Sequence, residues 1–172
     1  MRRMLLVGCS KAKVEEVGPL PAIERYDGPL FRVVRRFLKE APKSLQNVVI
    51  YVLSAKYGLI TSEAEIEDYD ERMTPERAVQ LRDQVLVAFQ QAMVQRLPDE
   101  LFLSLGRDYL KALDDYETWV PPSVRVYVSN EASARKQTVL KAWLWDKPVP
   151  SMTPRSEAAV QQPELPPTAP RS

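Results

Sequence analysis

Val48-Val49-Ile50-Tyr51-Val52-Leu53 is a continuously apolar, largely β-branched run that breaks abruptly into Ser54-Ala55-Lys56-Tyr57-Gly58-Leu59. A half-exposed strand would alternate; an unbroken apolar run suits a strand buried on both faces of a parallel sheet. The chain opens on the same design, with Met4-Leu5-Leu6-Val7 stopping at Gly8-Cys9-Ser10-Lys11-Ala12-Lys13. Between the two runs lies a helical stretch. Asp27-Gly28-Pro29 supplies its start, Leu30, Val33, Val34, Phe37 and Leu38 recur on one stripe, and Ala41-Pro42 closes it. Strand, helix and strand in that order predict a right-handed parallel crossover. In open α/β sheets ligands gather at the carboxyl ends of the strands. Two strand ends carrying Ser and Lys therefore point to an anionic or nucleotide-like ligand.

Outward from this core, residues 14–28 read as a loop and residues 61–73 as an acidic, poorly periodic one. Thr74-Pro75-Glu76 then starts the longest helix, with the Thr hydroxyl as cap. Val79, Leu86, Phe89, Met93 and Leu97 are expected to mark its buried face. Further strands are expected at 100–105 and 124–128, a short helix from Gly106-Arg107-Asp108-Tyr109 to Leu113, and a last helix over 132–145. The predicted fold is α/β, a Rossmann-like three-layer arrangement on a mostly parallel sheet of about four to five strands. One domain is expected over 1–147. Seven of the 15 prolines fall in the final 25 residues, so 148–172 reads as a disordered proline-rich tail.

Composition narrows the chemistry. The chain has 172 residues, one cysteine and no histidine. That excludes a His-based triad, an HExxH zinc site and an internal disulfide, and leaves acid–base work to Asp, Glu, Lys, Tyr or Cys9. No run approaches the length that spans a bilayer, and Met1-Arg2-Arg3-Met4-Leu5-Leu6-Val7 reads as a first strand rather than a signal peptide. A cytoplasmic location without membrane contact is the expectation. Residues 1–60 hold 11 Lys/Arg against 5 Asp/Glu, while residues 61–99 hold 4 against 9. The basic third could serve phosphates or nucleic acid; alternatively Arg32, Arg35, Arg36 and Lys39 form the wet face of one helix.

The candidate site follows from the strand ends. Cys9-Ser10-Lys11-x-Lys13 could form an anion-binding nest, with Ser10, Lys11 and Lys13 as ligand groups and Cys9 as a nucleophile activated by its lysines. Tyr26 could stack on a base and Arg32 fork onto a carboxylate or phosphate. Ser54, Lys56 and Tyr57 belong to the second strand end, where Lys56 could hold a phosphate or neutralise an oxyanion, and Gly58 is expected at positive φ. Asp70 would be the acid–base group, and Arg107 could reach the same sheet edge. Each has a plainer reading: Cys9 as a small buried residue, Lys56 as a solvated loop lysine, the acids as an exposed loop. No GxGxxG or P-loop is present, no metal site is expected and the sequence names no cofactor. Carboxylates of 61–73 could meet Mg²⁺ through a substrate phosphate, though nothing requires it.

Together these motifs resemble a bacterial and phage family of unknown function whose members are often labelled peroxide stress proteins of the YaaA type. The resemblance rests on Val7-Gly8-Cys9-Ser10-Lys11-Ala12-Lys13, Tyr26-Asp27-Gly28-Pro29-Leu30-Phe31-Arg32, Leu53-Ser54-Ala55-Lys56-Tyr57-Gly58-Leu59 and Tyr69-Asp70. Leu105-Gly106-Arg107-Asp108-Tyr109 and Arg135-Lys136-x-x-x-Leu140-x-x-Trp143-Leu144 continue it. The Cys-Ser-x-x-Lys opening is also similar to the core domain of archaeosine synthase, which modifies a deazaguanine base in tRNA. That domain's further Lys-Pro-Tyr and His are missing here, so amidine-forming chemistry is not implied. The resemblance implies a domain that handles a nucleobase or nucleotide; the YaaA-type label would imply DNA binding in peroxide stress.

The expected function is an enzyme acting on a nucleobase, nucleoside or nucleotide, by transfer or hydrolysis at a glycosidic or phosphate bond. Its partner would be a nucleobase- or nucleotide-like small molecule, or DNA or RNA in modification or repair. The alternatives are a non-catalytic nucleic-acid-binding stress protein and a small-molecule sensor or adaptor whose tail recruits a partner.

Overall fold

Apolar strands break at small polar residues and helices break at proline, and these signals divide the chain. In chain order the elements are β1 (Arg3–Gly8), β2 (Leu20–Pro21), α1 (Ala22–Arg25), α2 (Pro29–Glu40), β3 (Val48–Ser54), β4 (Gly58–Thr61), β5 (Glu65–Ile66), α3 (Pro75–Gln95), β6 (Glu100–Ser104), α4 (Arg107–Ala112), β7 (Arg125–Val128) and α5 (Ser133–Leu144). They are seen in a computed structural model that describes residues 1–129 and 133–150 with Met152 and Pro154. Most of the tail expected over 148–172 lies outside the described residues; Val149 and Met152 pack against the core.

The central sheet runs β4-β3-β1-β6-β7, parallel throughout except for the antiparallel edge strand β4. Side-chain alternation on the strands separates two cores. Met4, Leu6, Leu101, Leu103 and Leu105 join α3 and α4 on one face. Leu5, Val7, Val52 and Phe102 join α1, α2 and α5 on the other. The chain moves from β1 to β3 in one direction through α2, then reverses past β1 to β6 through α3. Crossovers of one hand that run in opposite directions must lie on opposite faces, as these do. The reversal falls at the carboxyl ends of β1 and β6, the place where open α/β sheets generally gather ligands.

Three parts depart from the sequence-based expectation. Residues 14–28 and 61–73 are not plain loops: β2 pairs antiparallel with β5, and α1 forms one turn of helix beside them. The buried face of α3 is Ala78, Leu81, Val85, Phe89, Ala92 and Met93. Val79 is 69% exposed because it lies one position around the helix from Ala78, and Leu97 lies beyond the helix end. The expected caps hold in substance: Thr74 Oγ1 accepts from Arg77 N at 3.1 Å, and Pro29 opens α2 behind Gly28.

Two buried arginines tie loops to this frame. Arg3 donates to Trp143 O (2.6 Å), Leu144 O (3.1 Å) and Leu45 O (2.6 Å), closing the end of α5. Arg25, wholly buried, donates to Val14 O (2.6 Å), Glu16 O (2.9 Å) and Gly18 O, and reaches Ile66 O at 3.5 Å. It holds the 14–18 loop to the β2–β5 pair and fixes the approach to Tyr26.

Candidate functional site

The first strand end turns tightly. Cys9 N donates to Leu53 O at 3.0 Å, which keeps it in the ladder. Ser10 Oγ donates to Ala12 O (2.7 Å) and accepts from Gly28 N (3.1 Å), so the turn is stitched to the start of α2. A Cβ on Gly28 would stand 2.6 Å from Ser10 Cβ, so only glycine lets the two segments meet. Lys11 points to solvent. Lys13 does not: its ammonium lies 4.5 Å from the Tyr69 ring centre and 5.9 Å from that of Tyr26, and donates to Lys11 O at 3.3 Å.

At the second end, Ser54 is a buried hub. Its Oγ accepts from Tyr26 Oη (3.1 Å), Lys56 N (3.2 Å) and Tyr57 N (3.1 Å), and lies 2.9 Å from Tyr69 Oη. Tyr26 and Tyr69 hydroxyls are 2.6 Å apart. With Tyr26 donating to Ser54, Ser54 to Tyr69 and Tyr69 to Tyr26, each hydroxyl donates once, and the three close a ring. Gly58 adopts φ +75° as expected and turns the chain into β4. Arg77 anchors this turn from α3, donating to Ala55 O (2.7 Å) and Lys56 O (3.1 Å) while pairing with Glu71 at 3.1 Å. Lys56 is exposed, its ammonium 5.3 Å from the Tyr57 ring and 5.7 Å from that of Tyr69.

Tyr109 joins the two ends from α4. Its ring lies against Gly8, where a Cβ would come within 3.2 Å. Its hydroxyl donates to Cys9 O at 3.0 Å and lies 3.2 Å from Cys9 Sγ, which also receives Ala55 N at 3.4 Å. The thiol thus receives one backbone N–H, from Ala55, and faces the Tyr109 hydroxyl, whose own proton goes to Cys9 O. Sequence reasoning took Tyr109 only as part of a helix start; the signal was a Tyr three residues past Gly106, one helical turn into the helix that follows β6.

Burial pushes the Tyr26 phenol up from 10.0 to about 12. Burial, and secondly Cys9, push Tyr69 and Tyr109 well above the ordinary phenol value. A raised folded-state value means that the native protein keeps protons the unfolded chain has lost. Stability should therefore hold up to about pH 10 and fall as pH rises toward about 12. Denaturant titrations across that window, with phenolate absorbance followed in parallel, check this; stability independent of pH there would show that the cluster is not closed in solution.

The other expected site residues are placed as follows. Tyr26 is completely buried with Phe31 at 5.0 Å between ring centres, so the stacking role is corrected: no base can reach its ring, and its hydroxyl alone serves the cluster. Arg32 forks onto Asp27 at 3.0 and 3.3 Å, with Arg35 on the same carboxylate at 2.6 Å. Asp70 is exposed and no hydrogen bond or ion pair joins it to Lys11 or Lys56. Arg107 lines a cavity of about 310 Å³ with Leu110, Lys111 and Asp114. Among the described residues no group of three or more Cys, Asp or Glu could hold a metal, and no helix is long and apolar enough to cross a membrane.

Residues 4–142 match a family of unknown function, DUF6884. The chain belongs to that family. The matched region contains both strand ends, the hydroxyl ring and Tyr109, so the whole candidate site is part of the family's domain. Neither the curated proteins nor the solved structures yield a match.

Proposed function

We propose that this chain is an enzyme acting on a nucleobase, nucleoside or nucleotide, with the anionic part of the ligand held where β1 and β3 end. One observation carries the reading: the ammonium groups of Lys13 and Lys56 lie 4.5 and 5.7 Å from the same Tyr69 ring, and neither makes an ion pair among the described residues. Two ammoniums gathered without a carboxylate form a site that an anion completes. The basic face of α2 differs: Arg32 and Arg35 pair with Asp27, and Arg36 pairs with Glu40 at 2.8 Å. That internal neutralisation weakens the alternative of a nucleic-acid-binding protein that works through this helix.

In this reading the fold is Rossmann-like and the ligand enters at the reversal of the sheet. Lys13 and Lys56 neutralise anionic oxygens. Cys9, held between Ala55 N and Tyr109 Oη, stands as the nucleophile, and Asp70 as the acid–base group on the rim. The reaction is transfer or hydrolysis at a glycosidic or phosphate bond. The likenesses to archaeosine synthase and to YaaA-type proteins add nucleic-acid modification and peroxide stress as settings for it.

The test is thermal unfolding of the full chain against nucleobases, nucleosides, nucleotides and short DNA and RNA. A ligand at 100 times its dissociation constant stabilises a fold by about 2.7 kcal/mol, a readily measured shift. A shift with nucleotides and none with nucleobases or nucleosides supports the lysine pair. Stabilisation by DNA or RNA alone, erased by moderate salt, overturns the reading in favour of a binding protein.

A further inference from the structure

Beyond the lysine pair, the same sheet edge carries two buried hydroxyls, Ser104 Oγ and Ser129 Oγ, that have no hydrogen-bond partner among the described residues. Ser104 is 2% exposed and Ser129 wholly buried. On β6, Leu101 and Leu103 face α3 and α4, as does Leu105 just past its end, and Phe102 faces α5. By alternation Ser104 faces α5 as well. On β7, Val126 and Val128 pack with the α3 side and Tyr127 with the α5 side. Ser129 N continues the ladder by donating to Leu103 O at 2.9 Å, and alternation from Tyr127 puts Ser129 on the α5 side, as it does Ser104.

Lys136 lies in the first turn of α5, the helix packed on that face of the sheet. It precedes Val139 and Leu140, both buried against this face, by three and four residues, and is itself half-buried. Its ammonium lies 3.9 Å from the place a Cβ on Gly106 would take, two residues past Ser104. Burial lowers its proton affinity, and none of the ion pairs among the described residues includes it. An ammonium and two hydroxyls thus lie at one end of the sheet, and no acceptor for the cation is found among the described residues. Buried polar groups are rarely left so, and a ligand is one of the few explanations.

We propose that Lys136, Ser104 and Ser129 form a second subsite, for a phosphate-type oxyanion, at the carboxyl ends of β6 and β7. It is separate from the Lys13–Lys56 pair, which serves β1 and β3. At roughly 4.8 Å per strand spacing the two subsites lie about 10–14 Å apart, with Cys9 and Tyr109 between them. A ligand with anionic groups at both ends, such as a dinucleotide or a nucleoside bisphosphate, would span them; that extension rests on the function proposed above, whereas the subsite stands on its own residues.

The experiment titrates the full chain with inorganic phosphate, and in parallel with acetate, while the lysine side-chain Nζ resonances are followed by NMR. Phosphate should shift the Lys136 resonance saturably, and Lys136→Met should weaken phosphate binding at this end by about tenfold. Joint Ser104→Ala and Ser129→Ala substitution should weaken phosphate binding while leaving the melting temperature of the free protein unchanged or raised, because unpartnered buried hydroxyls are removed. Joint Lys13→Met and Lys56→Met substitution should leave the Lys136 response intact. A Lys136 resonance indifferent to phosphate overturns the subsite, as does acetate acting equally well. So does a serine double variant that melts lower and binds phosphate as before, which would make the hydroxyls structural. A Lys136 response that persists when the Lys13 and Lys56 substitutions change nucleotide binding not at all would sink the proposed function and leave this subsite standing.

Discussion

Replacing Arg25 by alanine should destabilise the protein by about 3 kcal/mol. The wild-type guanidinium donates to the carbonyls of Val14, Glu16 and Gly18, and reaches Ile66 O at 3.5 Å. Hydrogen bonds to a charged donor contribute more than neutral ones, and a cluster of carbonyls left without their donor is destabilising in its own right. For a domain of this size the melting temperature should fall by roughly 10 °C. The damage should be local before it is global. Amide exchange should accelerate at Val14, whose N–H bonds Arg25 O, and at Ala22, which bonds Ala64 O. Arg25→Lys should recover little, since one ammonium cannot meet carbonyls spread along a whole loop. A melting temperature unchanged in Arg25→Ala would mean that the 14–18 loop is held by other contacts.

Joint replacement of Lys13 and Lys56 by methionine should weaken binding of an anionic nucleotide by about a hundredfold while moving stability by less than about 1 kcal/mol. The separation of the two effects is the point. Each ammonium lies near an aromatic ring and has no carboxylate partner among the described residues, so its removal forfeits only a modest cation–π contact. The bound anion loses both of its charged donors. Methionine keeps the length of the stem over Tyr69 and avoids opening a cavity. Calorimetric titration with a nucleoside monophosphate measures the affinity, and denaturant unfolding measures the stability. Equal affinity in variant and wild type would remove the lysine pair from the site; a large stability loss would show that it serves the fold.

The strands and their order of appearance were legible because burial on both faces demands unbroken apolar runs, and few other structures do. Met4 to Val7 and Val48 to Leu53 declare themselves in this way, and Pro29, Pro42, Thr74 and Pro75 punctuate the helices by local backbone chemistry. Gly58 announced its left-handed turn for the same local reason. The site was legible as a set of strand ends, since topology alone sends β1 and β3 to one edge.

What the sequence by itself determined, then, is which segments are buried on both faces, where helices start and stop, and which polar residues stand at the strand ends. These are properties of a few consecutive residues. Only the tertiary structure decided what those residues face. Tyr26 is a buried hydroxyl donor instead of a stacking surface because Tyr69, 43 residues away, and Ser54 close a ring with it. Lys13 joins Lys56 because both lie over that same Tyr69 ring. Tyr109 reaches Cys9 across 100 residues because β6 lies beside β1 and Gly8 leaves room for the ring. Hydrogen bonds and cation–ring contacts between distant segments depend on register and on which face each strand turns to its neighbour, and no local pattern of residues encodes a partner that only the folded sheet brings near.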